Sequence, residues 1–147
     1  MEISRAGPGD AGTLAALVAR FFAEEGFDAS PDEIRRRAAI FLVEPANAAF
    51  LAWEGGVARG VATATSGFGF ESGRYAEIED LYVLPDRRRR GVARALIGAA
   101  LAWCRERGCT EVEIVVTPDG DARHRLGAWY RGLGFTETGR RILQMRL

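Results

Sequence analysis

The segment from Tyr75 to Gly108 joins a strand pattern to a long amphipathic helix pattern, and this junction restricts the folds open to the chain. "YAEIEDLYVL" (75–84) alternates apolar and polar residues. A helical repeat of apolar residues then runs from about Arg88 to Arg107, and Gly108 offers its end. The following stretch, "EVEIVVT" (111–117), again reads as a strand. A strand–helix–strand unit of this kind predicts a crossover between parallel strands of one sheet.

The rest of the chain adds an antiparallel part to this sheet. We predict a short strand over residues 1–6, a helix within residues 9–27 that Gly26 ends, and a helix over 30–45 that is capped by Ser30 with Glu33. Residues 47–69 predict a hairpin around Glu54-Gly55-Gly56. A short helix over 121–133 and a final pair of strands complete the order. The fold class is therefore α/β with a mixed, mostly antiparallel twisted sheet of six to seven strands, flanked on both faces by about four helices.

Composition excludes several classes of protein. The 147 residues carry 20 basic and 20 acidic side chains, so the net charge gives no case for a nucleic-acid or membrane partner. The two cysteines have neither metal-ligand spacing nor a disulfide framework, so we expect no metal and a reducing environment. No apolar run is long enough to span a bilayer. The first residues lack a signal-peptide core, and we expect a cytoplasmic protein.

The junction itself predicts an anion site. Four consecutive arginines, Arg87–Arg90, precede Gly91 at the expected start of the helix. The first turn of a helix leaves backbone N–H groups without partners, and the glycine allows a phosphate to approach them. Arginine supplies forked donors that match phosphate oxygens. Positive side chains at this end of a helix oppose its dipole, so an anion would relieve the repulsion.

These residues resemble the signature of the GCN5-related N-acetyltransferases. That signature, Arg/Gln-x-x-Gly-x-Gly/Ala after a strand and a proline, corresponds to Arg88-Arg89-Arg90-Gly91-Val92-Ala93. "AWYRGLGF" (128–135) is similar to the second signature of the family, an aromatic–tyrosine pair followed by Leu-Gly-Phe. The element order matches as well. The resemblance implies one N-acetyltransferase domain over residues 1–147 with the acyl-CoA N-acyltransferase (GNAT) fold.

The resemblance also implies where acetyl-CoA binds as co-substrate. The pantetheine arm would pair with the main chain of the strand at Leu81, Tyr82 and Val83, where neighbouring strands diverge. The backbone N–H of Val83 would bind the thioester oxygen. The diphosphate would lie on the amides and side chains of the junction, which are Arg88, Arg89, Arg90, Gly91, Val92, Ala93 and Arg94. No metal is implied.

Catalytic roles follow from the same resemblance together with strand periodicity. Tyr130 corresponds to the family tyrosine beside the CoA sulfur, so it is the predicted general acid. Glu77 and Glu79 are the candidate bases, and a period of two predicts that they share a strand face with Leu81 and Val83. The pair Glu79-Asp80 resembles that of polyamine-acetylating members, where it serves a cationic substrate, so Glu77, Glu79 and Asp80 are also predicted to bind the acceptor. A bulge in this strand would change which of them faces inward.

The predicted activity is transfer of an acetyl group from acetyl-CoA directly to a primary amine of a small, cationic molecule that is polyamine-, aminoglycoside- or amino-acid-like. Two alternatives stay open at this point. One is acetylation of a protein or peptide amine, and the other is a non-catalytic acyl-CoA-binding module. The resemblance also implies a homodimer, because many members of the family pair.

Overall fold

The computed structural model describes residues 1–147 and contains five strands and five helices. Strands β1 (Glu2–Arg5), β2 (Asn47–Glu54), β3 (Val57–Gly69) and β4 (Gly73–Val83) form an antiparallel meander, and β5 (Glu111–Ile114) adds to β4 in parallel. The predicted mixed, mostly antiparallel sheet is therefore confirmed. The predicted final pair of strands is absent, since no strand follows β5, and the sheet has five strands instead of six to seven.

Helices cover both faces of the sheet. Helices α1 (Ala11–Glu25) and α2 (Pro31–Val43) pack with the β2 residues Ala49 and Leu51 in one apolar cluster. Helix α3 (Val92–Glu106) packs against β2, β3 and β4 on the opposite face. Gly60 of β3 allows this close approach, because a Cβ there would lie 3.1 Å from the Leu96 side chain of α3 and 2.9 Å from the Tyr82 carbonyl oxygen.

Local sequence signals account for most element ends. Ser30 accepts a hydrogen bond from the Glu33 amide at 3.2 Å and donates its own amide to the Glu33 carboxylate at 3.0 Å, which is the predicted capping box. The turn at Gly55 and Gly56 has positive φ at both residues, as a tight hairpin requires. None of the helices is both long and apolar enough to cross a bilayer.

The chain divides into two compact units, residues 1–115 and 116–147. The first contains the whole sheet with α1, α2 and α3. The second contains α4 (Pro118–His124) and α5 (Leu126–Gly132). The one predicted helix over 121–133 is thus two helices, because Arg125 adopts a left-handed conformation with φ of 54° and breaks the helix between them.

Candidate active site

Strand β4 has an open edge along its second half. β5 pairs with β4 only from Tyr75 to Ile78, whereas β4 continues to Val83. The amides of Asp80 and Leu84 point toward β3, since they donate to the Thr63 hydroxyl at 3.1 Å and to the Arg59 carbonyl at 2.9 Å. Backbone groups alternate in direction along a strand. The N–H and C=O groups of Leu81 and Val83 therefore face the open edge, which can accept an extended, amide-containing ligand, although the Val83 carbonyl already accepts from Arg88 Nε at 2.9 Å.

Tyr82 differs from its two neighbours. By the same alternation its N–H and C=O groups face β3, and its pairing partner there is Val61. Its side chain lies on the α1/α2 face, where its ring is 5.6 Å from the Phe21 ring. Burial raises the pKa of Tyr82, and the nearby Glu24 carboxylate adds to the shift. The Tyr82 side chain therefore packs on the α1/α2 face beneath the sheet, and its main chain is not available to a ligand at the open edge.

The loop between β4 and α3 is lined with free backbone amides. Its conformation is irregular because Arg89 and Gly91 both have left-handed backbones, with φ of 61° and 80°. None of the six N–H groups from residue 89 to residue 94 donates to an acceptor of the chain. A Cβ added at Gly91 would meet no atom within 4 Å, so the space above these amides is open. Successive free amides at a helix start form a site for an anion such as a diphosphate.

The four arginines lie in this loop and not in the first turn of α3, which begins at Val92. Arg87 binds the carboxylates of Glu54 and Asp86. Arg88 turns inward, as its Nη2 donates to Glu24 at 2.5 Å and its Nε donates to the Val83 carbonyl at 2.9 Å. Its guanidinium also lies 5.7 Å from the centre of the Tyr82 ring. Arg88 is therefore an anchor of the loop.

The remaining guanidinium groups are uncommitted. Arg89, Arg90 and Arg94 are exposed and form no ion pair in the structure. They flank the free amides, so they can add positive charge around an anion held there. The residues predicted for the diphosphate are thus brought together by the structure, with Arg88 committed to supporting the loop.

A β-bulge rearranges the acidic residues of β4. Thr63 of β3 lies opposite Asp80, but the next residue, Ala64, lies opposite Ile78, so Glu79 is the extra residue. Glu77, opposite Thr65, and Asp80 consequently lie on the α1/α2 face. The prediction that Glu77 and Glu79 share a face with Leu81 and Val83 is wrong, because the inserted residue shifts the alternation by one position and leaves Leu81 and Val83 on the α3 face.

Two threonines of β3 form hydrogen bonds with the carboxylates of Asp80 and Glu79. The Thr63 hydroxyl donates to Asp80 Oδ2 at 2.5 Å, and the Thr65 hydroxyl donates to Glu79 Oε1 at 2.8 Å. Sequence reasoning did not single out either threonine. The signal was present, because Thr63 and Thr65 are polar residues two apart on one face of a strand and alternate with alanines. The role of Glu24, far from Arg88 in sequence, has no comparable signal.

Burial perturbs the titration of two of the acids. Burial raises the pKa of Asp80, an effect that the Thr63 hydrogen bond opposes and the nearby Glu79 carboxylate reinforces. Burial also raises the pKa of Glu77, and the carboxylates of Glu79 and Glu113 add to the shift. A carboxylate with a raised pKa is a better proton acceptor near neutral pH.

Two of the acidic residues, Glu79 and Asp80, border a cavity of about 170 Å³. Its floor is formed by Thr63, Glu79 and Asp80, and its walls come from one apolar stripe on each of α1 and α2. The lining residues from the two helices are Leu14, Val18, Phe22, Ile34, Arg37, Ala38 and Phe41. An organic cation can place its charge on the floor and its carbon skeleton against the walls.

Tyr130 lies in the second unit, on α5. It is buried, its ring makes edge contacts with Trp129 at 4.9 Å and Phe135 at 5.6 Å, and burial raises the pKa of Tyr130 to about 12. A hydroxyl with this pKa stays protonated at neutral pH, which is the state that a proton donor needs.

The sequence from residue 13 to residue 135 matches the model of the acetyltransferase (GNAT) family. The chain is a member of the GNAT acetyltransferase family. The match includes the open edge of β4, the amide-lined loop, the acidic cluster and Tyr130. The predicted membership and fold are confirmed by it.

Curated relatives of this GNAT chain are aminoglycoside N(6′)-acetyltransferases type 1. The protein from Salmonella typhimurium is 35% identical over 99 residues, which is 65% of this chain and 66% of the relative. The protein from Acinetobacter haemolyticus is 41% identical over 70 residues, which is 48% of this chain and 46% of the relative. The chain thus spans less than two thirds of the length of these relatives.

Solved structures share the fold over nearly the whole chain. The aminoglycoside N-acetyltransferase AAC(6′)-Iy in complex with CoA has a TM-score of 0.85 at 26% identity, covering 99% of this chain and 93% of that one. The same enzyme with the bisubstrate analogue CoA-S-monomethyl-acetylneamine has a TM-score of 0.85 at 25% identity, covering 99% and 97%.

Proposed function

We propose that this GNAT chain is an acetyl-CoA-dependent N-acetyltransferase that transfers the acetyl group directly to a primary amine of a small, cationic molecule. The observation that carries the proposal is the continuity of the open β4 edge with the free amides of residues 89–94. Relatives named as aminoglycoside N-acetyltransferases, one of them in complex with CoA, support both the co-substrate and the amine acceptor.

Residues of this chain fit the parts of acetyl-CoA. The six free amides from residue 89 to residue 94 would hold the diphosphate, with the guanidinium groups of Arg89, Arg90 and Arg94 around it. The main chain of Leu81 and Val83 would pair with the pantetheine arm. Arg88 and Tyr82 would act as positioning residues, because their side chains brace the loop and leave the amides exposed.

The acid–base roles fall to carboxylates of β4 and to the Tyr130 hydroxyl. The substrate ammonium would lose one proton to Glu79 or Glu77, directly or through water, and the nitrogen lone pair would then attack the thioester carbon. The backbone N–H of Val83 would donate to the thioester oxygen as it becomes negative. As the C–N bond forms and the C–S bond breaks, Tyr130 would donate a proton to the departing thiolate. The amide nitrogen loses its second proton, so one proton is released overall.

The acceptor would enter from the α1/α2 side, where the cavity ends on Glu79 and Asp80. Each of these carboxylates has one oxygen bonded by a threonine and a second oxygen without a partner in the chain. The second oxygens can accept from an ammonium group. Asp80 would therefore bind the amine, and Glu79 would bind and deprotonate it.

A thiol-release assay with acetyl-CoA against a panel of primary amines tests the proposal, together with calorimetry of CoA binding. We expect Tyr130→Phe to lower kcat by about 10²-fold while the CoA affinity stays unchanged, because the hydroxyl acts only on the leaving thiolate. Tyr75→Phe is the matched control, since Tyr75 lies at the far end of β4 and is partly exposed. CoA binding without turnover of any amine would instead identify a binding module.

Three organisational features belong to the same proposal. We propose that residues 1–147 work as one catalytic domain, because the family match crosses the boundary between the two compact units. The resemblance to paired relatives supports a homodimer, which analytical ultracentrifugation tests. The two unpaired cysteines, Cys104 and Cys109, support a cytoplasmic location, which cell fractionation tests.

A further inference from the structure

The cavity above the acidic cluster has walls that suit a hydrocarbon better than a sugar. Leu14, Val18 and Phe22 follow one another at every fourth residue of α1 and form one wall. Ile34 and Phe41 are the large apolar residues of the opposite wall on α2. A sugar hydroxyl placed between these walls would face hydrocarbon, with Arg37 as the one polar side chain of the walls, and would lose bonds to water.

The size of the cavity also favours a small hydrocarbon over a sugar. Its volume of about 170 Å³ lies below the range of about 300–1,000 Å³ that is usual for drug-sized ligands. A multi-ring aminoglycoside would leave most of its rings outside. One aromatic ring or one branched alkyl group with a short ammonium arm matches this volume.

The charge distribution restricts the number of amines. Both acids lie on the floor, where Thr63 fixes Asp80 and Thr65 fixes Glu79. Arg37 is the one cation among the lining residues, and it is exposed on α2. A molecule with several ammonium groups would place the additional charges near this guanidinium, which repels them. A monoamine has no such conflict.

We propose that the acceptor of this site is a primary monoamine on a compact apolar body, of the arylalkylamine or branched alkylamine class, whose ammonium binds Glu79 and Asp80 and whose hydrocarbon part packs between α1 and α2. This inference rests on the proposed function, because it names the substrate of the same site. It differs from the substrate class in the names of the curated relatives.

Binding and turnover on the full chain test the inference separately. Phenethylamine, spermidine and neamine are titrated by calorimetry in the presence of desulfo-CoA, which has no thiol to acylate, and each amine is then assayed for thiol release from acetyl-CoA. We expect phenethylamine to bind, and its kcat/KM to exceed that of neamine and of spermidine by about 10-fold or more. A higher kcat/KM for neamine or spermidine overturns the inference while acetyl transfer stands.

The binding titration also tests the inference if the protein turns over no amine. If no amine is turned over, the proposed function fails, and the binding titration alone decides the inference. Tighter binding of phenethylamine than of neamine and spermidine then supports the inference. Weaker binding of phenethylamine, or no binding, overturns it.

Variants of the wall provide the second arm. Phe41→Ala removes a lining ring, and we expect kcat/KM for phenethylamine to fall by about 10-fold. Ile40→Ala is the matched control, because Ile40 is the preceding residue of α2, is 55% exposed and does not line the cavity. Val18→Thr keeps the side-chain shape and replaces one methyl group by a hydroxyl, so it provides the test if the Phe41→Ala variant does not fold. Wild-type phenethylamine affinity in both lining variants refutes the packing of the acceptor between the helices.

Discussion

Because Arg88 anchors the loop, its replacement should lower the free energy of unfolding more than replacement of the neighbouring Arg90. Arg88→Ala removes a charge-assisted hydrogen bond to Glu24, another to the Val83 carbonyl and the contact with the Tyr82 ring. It also removes the Arg88 guanidinium from the Glu24 carboxylate, whose side chain is only 25% exposed. Arg90→Ala is the matched control, because Arg90 is exposed and forms no ion pair.

The expected magnitude follows from these contacts. A hydrogen bond to a charged group contributes about 1.5–3 kcal/mol. The Arg88 side chain is 36% exposed, and solvent screening places each bond at or below the lower end of that range. The ring contact adds about 0.5 kcal/mol. We expect the free energy of unfolding to fall by about 2–3 kcal/mol for Arg88→Ala and by less than about 0.5 kcal/mol for Arg90→Ala.

Urea denaturation followed by circular dichroism measures both values, and the midpoint of thermal unfolding should fall by about 3 °C per kcal/mol at this chain length. CoA affinity, measured by calorimetry on the folded variants, should decrease for both. For Arg90→Ala the cause is lost charge beside the diphosphate, and for Arg88→Ala it is a less ordered loop. Equal unfolding midpoints for Arg88→Ala and Arg90→Ala would refute the anchoring role of Arg88.

Three further predictions concern single residues. Gly91→Ala places a side chain at a φ of 80°, so we expect a loss of stability of about 1 kcal/mol and, because the Cβ intrudes on the free amides, about 10-fold weaker CoA binding by calorimetry; unchanged affinity would place the diphosphate elsewhere. The pKa of Asp80 is raised in the folded state, so its contribution to stability is fully present below the unfolded pKa and is lost as pH rises through the folded pKa. Asp80→Asn should therefore raise the unfolding midpoint at pH 7 but not below the unfolded pKa, and lower amine affinity in the same protein; a lower midpoint at pH 7 contradicts the burial argument. Burial raises the pKa of Cys104 to about 11, so iodoacetamide at neutral pH should alkylate the half-buried Cys109 first, as peptide mass mapping would show; preferential labelling of Cys104 would count against its burial.

Signals that act over a few residues were sufficient for much of the fold. The capping box at Ser30 and Glu33, the glycine turn at Gly55 and Gly56 and the strand that became β4 were each predicted from neighbouring residues, and each is present. The final pair of strands was predicted from the same kind of pattern and is absent. A strand must find a partner for its backbone groups, and alternation alone does not provide one.

The sequence predicted which segments contain the candidate site residues, but it did not predict the direction of the acidic side chains. The two signatures marked the loop at residues 88–94 and Tyr130, and the family match includes both. The direction of the acidic side chains could not be read in the same way, because the bulge at Glu79 is visible only in the pairing of β4 with β3. The threonines that fix the carboxylates belong to β3 for the same reason.

The sequence by itself determined the order of elements as far as β5, the glycine-containing loop before α3 and the family. Only the tertiary structure decided which face carries Glu77 and Asp80 and which arginine is free to meet an anion. The physical reason is that helices, caps and turns are built from contacts between near neighbours, whereas side-chain direction in a bulged strand depends on the partner strand. The pairing of Arg88 with Glu24 likewise depends on packing that joins residues 64 positions apart.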